Sequence, residues 1–159
     1  MLEKDIFYMK QALAEAKKAY AKDEVPVGAV MVLDDRIVAK GYNQVELLQD
    51  ATAHAEMLAL STCADFVENW RLIDATIYTT LEPCVMCAGA IIQCRVKRVV
   101  WGAKDIRLGA NGSFVDLFAK KHPIHQVEIV GGVLEAESAD LLRAFFQKKR
   151  KEKKGLELN

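Results

Sequence analysis

The sequence predicts an α/β fold of three layers, with helices on both faces of a mixed five-stranded sheet. Strand-like and helix-like segments alternate along the chain, and no internal repeat, low-complexity linker or break in composition divides it. An early hairpin supplies an antiparallel pair, whereas helical segments separate the later strands, as crossovers between parallel strands require. The 159 residues, 52% hydrophobic and 28% charged, suit one domain over residues 1–159 whose core needs no disulfide staple.

Ile6, Met9, Leu13, Ala16 and Tyr20 recur at three- and four-residue spacing, which predicts a helix over 5–22 with Asp5 as its cap and Lys17, Lys18 and Lys22 near its end. Pro26 to Leu33 is a β-rich apolar run. The turn pair Asp34-Asp35 and the run Ile37 to Ala39 complete a hairpin. After a polar stretch from Gly41 to Asp50, Thr52 offers an N-cap hydroxyl to a helix rich in Ala, Leu, Met and Glu that starts at about Ala53. Ala75 to Thr80 reads as a strand, Pro83 interrupts it, and the apolar Cys84 to Gln93 reads as a buried helix. Val96 to Ala103 gives a fourth strand and Gln126 to Val130 a fifth. Between them the run Gly109 to Ser113 marks a loop and Phe114 to Lys120 a short helix, and Glu135 to Lys154 closes the chain as a long helix.

The start, Met1-Leu2-Glu3-Lys4-Asp5, has neither the basic nor the apolar part of a signal peptide, and no long uncharged apolar run follows; a cytoplasmic protein is expected, with its four cysteines reduced. The net charge of zero conceals an imbalance. Residues 1–80 carry 8 Lys/Arg against 13 Asp/Glu, and residues 81–159 carry 14 against 9. Six cations fall within Lys148 to Lys154, either a contact for a polyanion or a solvated helix end whose cations complement the dipole.

The chemistry is concentrated in two short motifs, His54-Ala55-Glu56 and Pro83-Cys84-Val85-Met86-Cys87. Cys84 and Cys87 share one helix face and can grip a single ion, with His54 as a third donor from the neighbouring helix; helix N-termini favour the thiolates. Three protein ligands leave a tetrahedral zinc one position for water, as catalytic rather than structural sites do. Glu56, two positions beyond a ligand, is the acid/base candidate facing that water, whose pKa zinc can lower to about 7. C-x-x-C alone also fits a redox pair or half of a zinc ribbon, but no second C-x-x-C exists. Cys94 lies roughly 10 Å along a helix from Cys87, and it and Cys63 read as small buried hydrophobes. His122 and His125 bracket a proline in a loop, as ordinary loop histidines or a second metal site.

With these motifs the chain resembles the zinc nucleobase deaminases, for which H-x-E and P-C-x-x-C are the recognised signature. Glu24 to Val30, Gly41-Tyr42-Asn43, Thr52 to Glu56, Thr80 to Ala90, Trp101-Gly102-Ala103 and Gly112-Ser113 are similar, in order, to the bacterial tRNA-specific adenosine deaminases, from about residue 5 to residue 150. The resemblance implies the cytidine-deaminase-like fold, a homodimer with active sites near the subunit interface, and conversion of adenosine to inosine at the wobble position of a tRNA anticodon stem-loop. It implies that His54, Cys84 and Cys87 hold one Zn2+ per subunit, that zinc-bound hydroxide attacks C6, and that Glu56 protonates N1 and assists departure of ammonia. It further implies that Asn43, the Ala55 amide and the Pro83 carbonyl contact the base and that Val27, Gly28 and Ala29 wall the pocket. Strand core explains Val27 and Ala29 equally well, and close packing explains Gly28. The chain departs from the common pattern at Tyr42, Ala51 and Leu108, none of them a ligand; Leu108 replaces a hydroxyl that could contact phosphate or sugar.

Lys104, Arg107, Lys120, Lys121 and the terminal cations are candidates for a phosphate path, or plain solvated surface. Two rival functions remain. A deaminase of a free base or nucleoside, of guanine or cytosine type, would need no basic surface. A non-catalytic zinc-stabilised RNA-binding module would have no use for Glu56.

Overall fold

A computed structural model describes residues 2–158; Met1 and Asn159, the ends of the expected domain, lie outside them. The chain runs α1 (Glu3–Ala21), β1 (Gly28–Leu33), β2 (Arg36–Tyr42), α2 (Val45–Leu48), α3 (Ala55–Val67), β3 (Thr76–Leu81), α4 (Val85–Gln93), β4 (Arg98–Ala103), β5 (Glu128–Gly131) and α5 (Glu135–Glu157). The sheet order is β2-β1-β3-β4-β5. β1 pairs antiparallel with β2 and β3, and β3, β4 and β5 are parallel. This is the mixed five-stranded α/β arrangement expected from the sequence.

Strand alternation assigns the layers. Val30, Val32, Tyr78 and Val100 pack with Tyr8, Met9 and Ala12 of α1, whereas Ala29, Met31, Ile77 and Val99 pack with Ala59, Leu60 and Cys63 of α3 and Ile91 of α4. α5 joins α1 on the first face, against β4. At Gly28 the α1 backbone comes so close that a Cβ would stand 2.1 Å from the Ala12 carbonyl oxygen, so the start of β1 accepts only glycine without moving α1. The hairpin turn is the anticipated Asp34-Asp35 pair, both at positive φ, in keeping with the strand twist of a two-residue connection. Among the described residues no helix is long and apolar enough to cross a membrane.

Four local expectations are corrected. Asp5 does not cap α1, which begins after Leu2; its carboxylate is buried and accepts bonds from Arg98 Nη1 and Nη2 at 2.7 and 2.8 Å and from the Tyr78 hydroxyl at 2.8 Å. Thr52 does not cap α3, because its hydroxyl and amide both bond Asp50 Oδ1 and the helix starts at Ala55 with His54 at the cap position. The polar stretch after Gly41 contains the single turn α2, held by the buried Glu24, which accepts the Glu46 and Leu47 amides. Phe114 to Lys120 forms turns rather than a helix, with Asp116 bridging to Asn111, so β4 reaches β5 through a long loop instead of a helical crossover. Cys63 is buried as expected; Cys94 is half-buried at the end of α4.

One buried hydroxyl, Ser138 Oγ on α5, has no hydrogen-bond partner among the described residues. An unpaired buried polar group costs about 1–3 kcal/mol, so Ser138→Ala is expected to raise the melting temperature by about 2–12 °C. A thermal melt that falls instead would show that the hydroxyl has an unrecognised partner.

Candidate metal centre and active site

The two motifs meet because each occupies a helix start at the same end of the sheet. His54 and Cys84 are the N-cap residues of α3 and α4, both with extended backbone and neither capping with its side chain. The side chains turn toward each other instead: Cys84 Sγ lies 3.6 Å and Cys87 Sγ 3.5 Å from His54 Nδ1. Cys87, one turn into α4, is fully buried behind Cys84.

The donor set fits a metal ion. All three ligand atoms lie within 4.8 Å of one another. Bonds of about 2.0 Å to nitrogen and 2.3 Å to sulfur at tetrahedral angles place a nitrogen and a sulfur donor about 3.5 Å apart, and His54 Nδ1 stands at that spacing from both sulfurs. One imidazole and two thiolates suit zinc. Among the described residues this is the single His/Cys/Asp/Glu group so arranged. His122 and His125 are engaged elsewhere: His122 Nδ1 accepts the Ile124 and His125 amides, and His125 Nε2 lies 2.7 Å from the Val96 carbonyl.

The two thiols hold their protons unequally, Cys84 giving its own up first while the bond to Cys84 and burial push the Cys87 thiol up. Hydrogen bonding from the Cys87 thiol, reinforced by His54, draws the Cys84 thiol down to about 4. The bond to Cys84 pushes the His54 imidazole up, against the opposing effect of its burial. The purified chain is expected to carry about one zinc, and Cys87→Ala less than about half of one, by elemental analysis of folded protein. Full zinc in that variant would remove Cys87 from the ligand set.

Glu56 is the second residue of α3 and is buried. It accepts a hydrogen bond from Thr79 Oγ1 at 3.1 Å, and burial pushes its carboxyl above the usual range. It is not part of the ligand cluster, and it lines the same cavity as His54 and Cys84. That cavity, of about 190 Å³, is walled also by Val25, Val27, Asn43, Ala55, Leu81, Glu82, Asp105 and Leu108.

The other sequence-derived candidates divide. Val27, Asn43 and Ala55 are at the cavity. Gly28 instead abuts α1 and Ala29 is wholly buried in the sheet. Neither belongs to the lining set, and the same holds for Pro83, whose carbonyl accepts the Ala110 amide at 2.8 Å. The Asn43 side chain is oriented by donating to the Val25 carbonyl and accepting the Val45 amide. Thr79 and Glu82 carry no signature of their own in the sequence; Thr79 lies on β3 and Glu82 directly after it, on the segment leading to the cysteines, which is the local hint. Lys104, Arg107, Lys120 and Lys121 are exposed. In the terminal run Lys149 is tied to Asp23 and Glu152, and Arg150, Lys151, Lys153 and Lys154 are exposed.

Residues 2–103 match the family model described as the cytidine and deoxycytidylate deaminase zinc-binding region. A tRNA-specific adenosine deaminase of Bacillus subtilis is 46% identical over 158 residues, covering 99% of this chain and 98% of the relative. One from Haemophilus influenzae is 48% identical over 92% of this chain and 85% of its own. A solved structure from work on A-to-I editing by tRNA:A34 deaminases at the wobble position of transfer RNA superposes with a TM-score of 0.81 at 41% identity, covering 85% of this chain and 98% of that one.

Proposed function

Because the chain belongs to the cytidine and deoxycytidylate deaminase family, we propose that it is a tRNA-specific adenosine deaminase, converting adenosine to inosine at the wobble position of an anticodon stem-loop. The observation that carries this reading is a buried carboxylate, Glu56, that stands beside a His54/Cys84/Cys87 donor cluster without belonging to it, in one base-sized cavity. A structural metal site has no use for such a group.

His54, Cys84 and Cys87 would hold zinc, which when bound supplies Lewis acidity that makes water a nucleophile at neutral pH. Overall, water adds oxygen to C6 of adenine, the C6–N6 bond breaks, and ammonia leaves. Glu56 moves the protons. With Oε1 fixed by Thr79, its carboxylate accepts one proton from the attacking water and delivers it to N1, then takes the second from the new C6 hydroxyl and passes it to the departing nitrogen. Burial raises its proton affinity toward what that shuttle needs. Ala55, at the first position of α3, has an amide without an intrahelical acceptor and so can donate to the base, alongside Asn43. An anticodon loop presents unpaired bases, so drawing one into the cavity costs less than from a duplex.

The exposed cations of the second half of the chain suit a phosphate-bearing substrate. A homodimer and a cytoplasmic location complete the reading.

The test is incubation of zinc-loaded protein with an anticodon stem-loop bearing a wobble adenosine, beside free adenosine, cytidine and guanine, reading inosine and ammonia. Inosine from the stem-loop alone is expected. Ammonia from a free base or nucleoside instead would move the enzyme to that substrate class, and no ammonia from any substrate would leave a binding module.

A further inference from the structure

We propose that Glu82 is a positioning residue for this reaction, whose buried carboxylate holds the 105–113 loop in the shape that walls the base cavity. Its role in turnover rests on the deaminase reading; its role in the loop does not. Glu82 is 1% exposed at the end of β3, two residues before Cys84. Among the described residues it forms no ion pair, and every hydrogen bond its carboxylate accepts comes from this one loop. Oε2 accepts the Asn111 amide at 2.8 Å and the Ser113 amide at 3.3 Å, and Oε1 accepts the Ser113 hydroxyl at 2.5 Å and, more weakly, the Asp105 amide at 3.4 Å. Bonds to a carboxylate are the strong kind, and several on one buried group fix a backbone that has no regular structure of its own.

The loop is shaped around this anchor. A Cβ at Gly109 would lie 2.2 Å from Glu82 Oε2 and 2.7 Å from the Asp105 carbonyl oxygen, so the chain passes the carboxylate at the closest distance a backbone allows. Gly109 bridges to Cys84, and the Ala110 amide donates to Pro83. Between these ties the turn from Asp105 to Gly109 is closed by the Gly109 amide on the Asp105 carbonyl and the Leu108 amide on Asp105 Oδ1, and it carries Asp105 and Leu108 into the cavity wall. Leu108, although apolar, remains 54% exposed there, as a surface awaiting a ligand would be. One carboxylate thereby couples the segment bearing the cysteine ligands to the part of the pocket wall formed by Asp105 and Leu108.

Glu82→Gln keeps the volume but turns an amide NH2 toward backbone N–H donors. In this variant amide exchange across 105–113 is expected to quicken about tenfold or more while that of β3 and α4 is unchanged. KM for the stem-loop should rise about tenfold with kcat within about threefold, and zinc should stay near one per chain. Ser113→Ala, which keeps the carboxylate, should move exchange and KM the same way by less, and it decides the matter if Glu82→Gln does not fold. Wild-type exchange in the loop, or activity falling only in step with lost zinc, would overturn the proposal. The exchange measurement needs no RNA, so a stem-loop that yields no inosine with the wild-type chain defeats the functional reading and leaves the loop assignment to its own result.

Discussion

Replacing Glu56 by Gln is expected to slow inosine formation by about 10²–10⁴-fold in single-turnover assays while leaving zinc content and melting temperature close to wild type. Gln preserves the shape and the Thr79 bond but can neither take a proton from water nor hand one to N1. Glu56 lies outside the ligand cluster, so the effect on rate should separate from any effect on metal. The size of the loss discriminates. A drop under about threefold would mean that another group shuttles the proton, and a parallel loss of zinc would mean that Glu56 serves the ligands rather than the substrate.

The largest stability effect should come from Arg98. Its guanidinium grips Asp5 in a two-pronged pair that links α1 to β4, with the Tyr78 hydroxyl of β3 on the same carboxylate and Glu128 of β5 on the outer side. Asp5 is 1% exposed and Arg98 12%. Arg98→Met would strand a buried charge, at a cost of about 3–5 kcal/mol, readable as a lower midpoint in urea. Arg98→Met combined with Asp5→Leu should recover part of it. The effect has a pH signature. The Arg98 hydrogen bonds hold the Asp5 carboxyl below its usual range, overriding burial. Since the folded value is the lower one, the unfolded chain binds the proton first on acidification. The stabilisation is therefore complete above the ordinary carboxylate range and fades as pH falls from there through the lowered value. The gap between wild type and Arg98→Met should narrow over that acidic window; a gap independent of pH would assign the loss to packing alone.

The chemistry of this chain was legible because it is local. Cys84 and Cys87 are one helical turn apart and His54 and Glu56 two positions apart, so residue type and spacing alone assemble most of the cluster. The sheet was legible through short runs of apolar residues such as Pro26 to Leu33 and Ala75 to Thr80, whereas the division of Met31, Ile77 and Val99 from Val30, Tyr78 and Val100 between the two faces appears only in the structure. What escaped is what depends on distant partners. Asp5 looks like a cap until Arg98, 93 positions on, claims it. Thr52 looks like a cap as well, yet the cap position falls to His54, a poor capping residue placed there by its other duty. Phe114 to Lys120 has helix-compatible residues, but the chain there is drawn into turns by Asp116 and by the anchors upstream. Glu82 sits inside a recognisable motif, and its partners, 23 to 31 residues away, have no signature in sequence.

The strand order leaves β2 and β5 at the two edges, where unpaired backbone could recruit a foreign strand. Neither is inviting. β2 bears the exposed cations Arg36 and Lys40 and runs out of register with β1 between Met31 and Val32, and β5 is only four residues long and opens with the exposed Glu128. Short, charged and irregular borders discourage ribbon-like accretion, so the folded protein should stay free of amyloid-type aggregation at high concentration, and copies that associate should do so through helix faces rather than by extending the sheet.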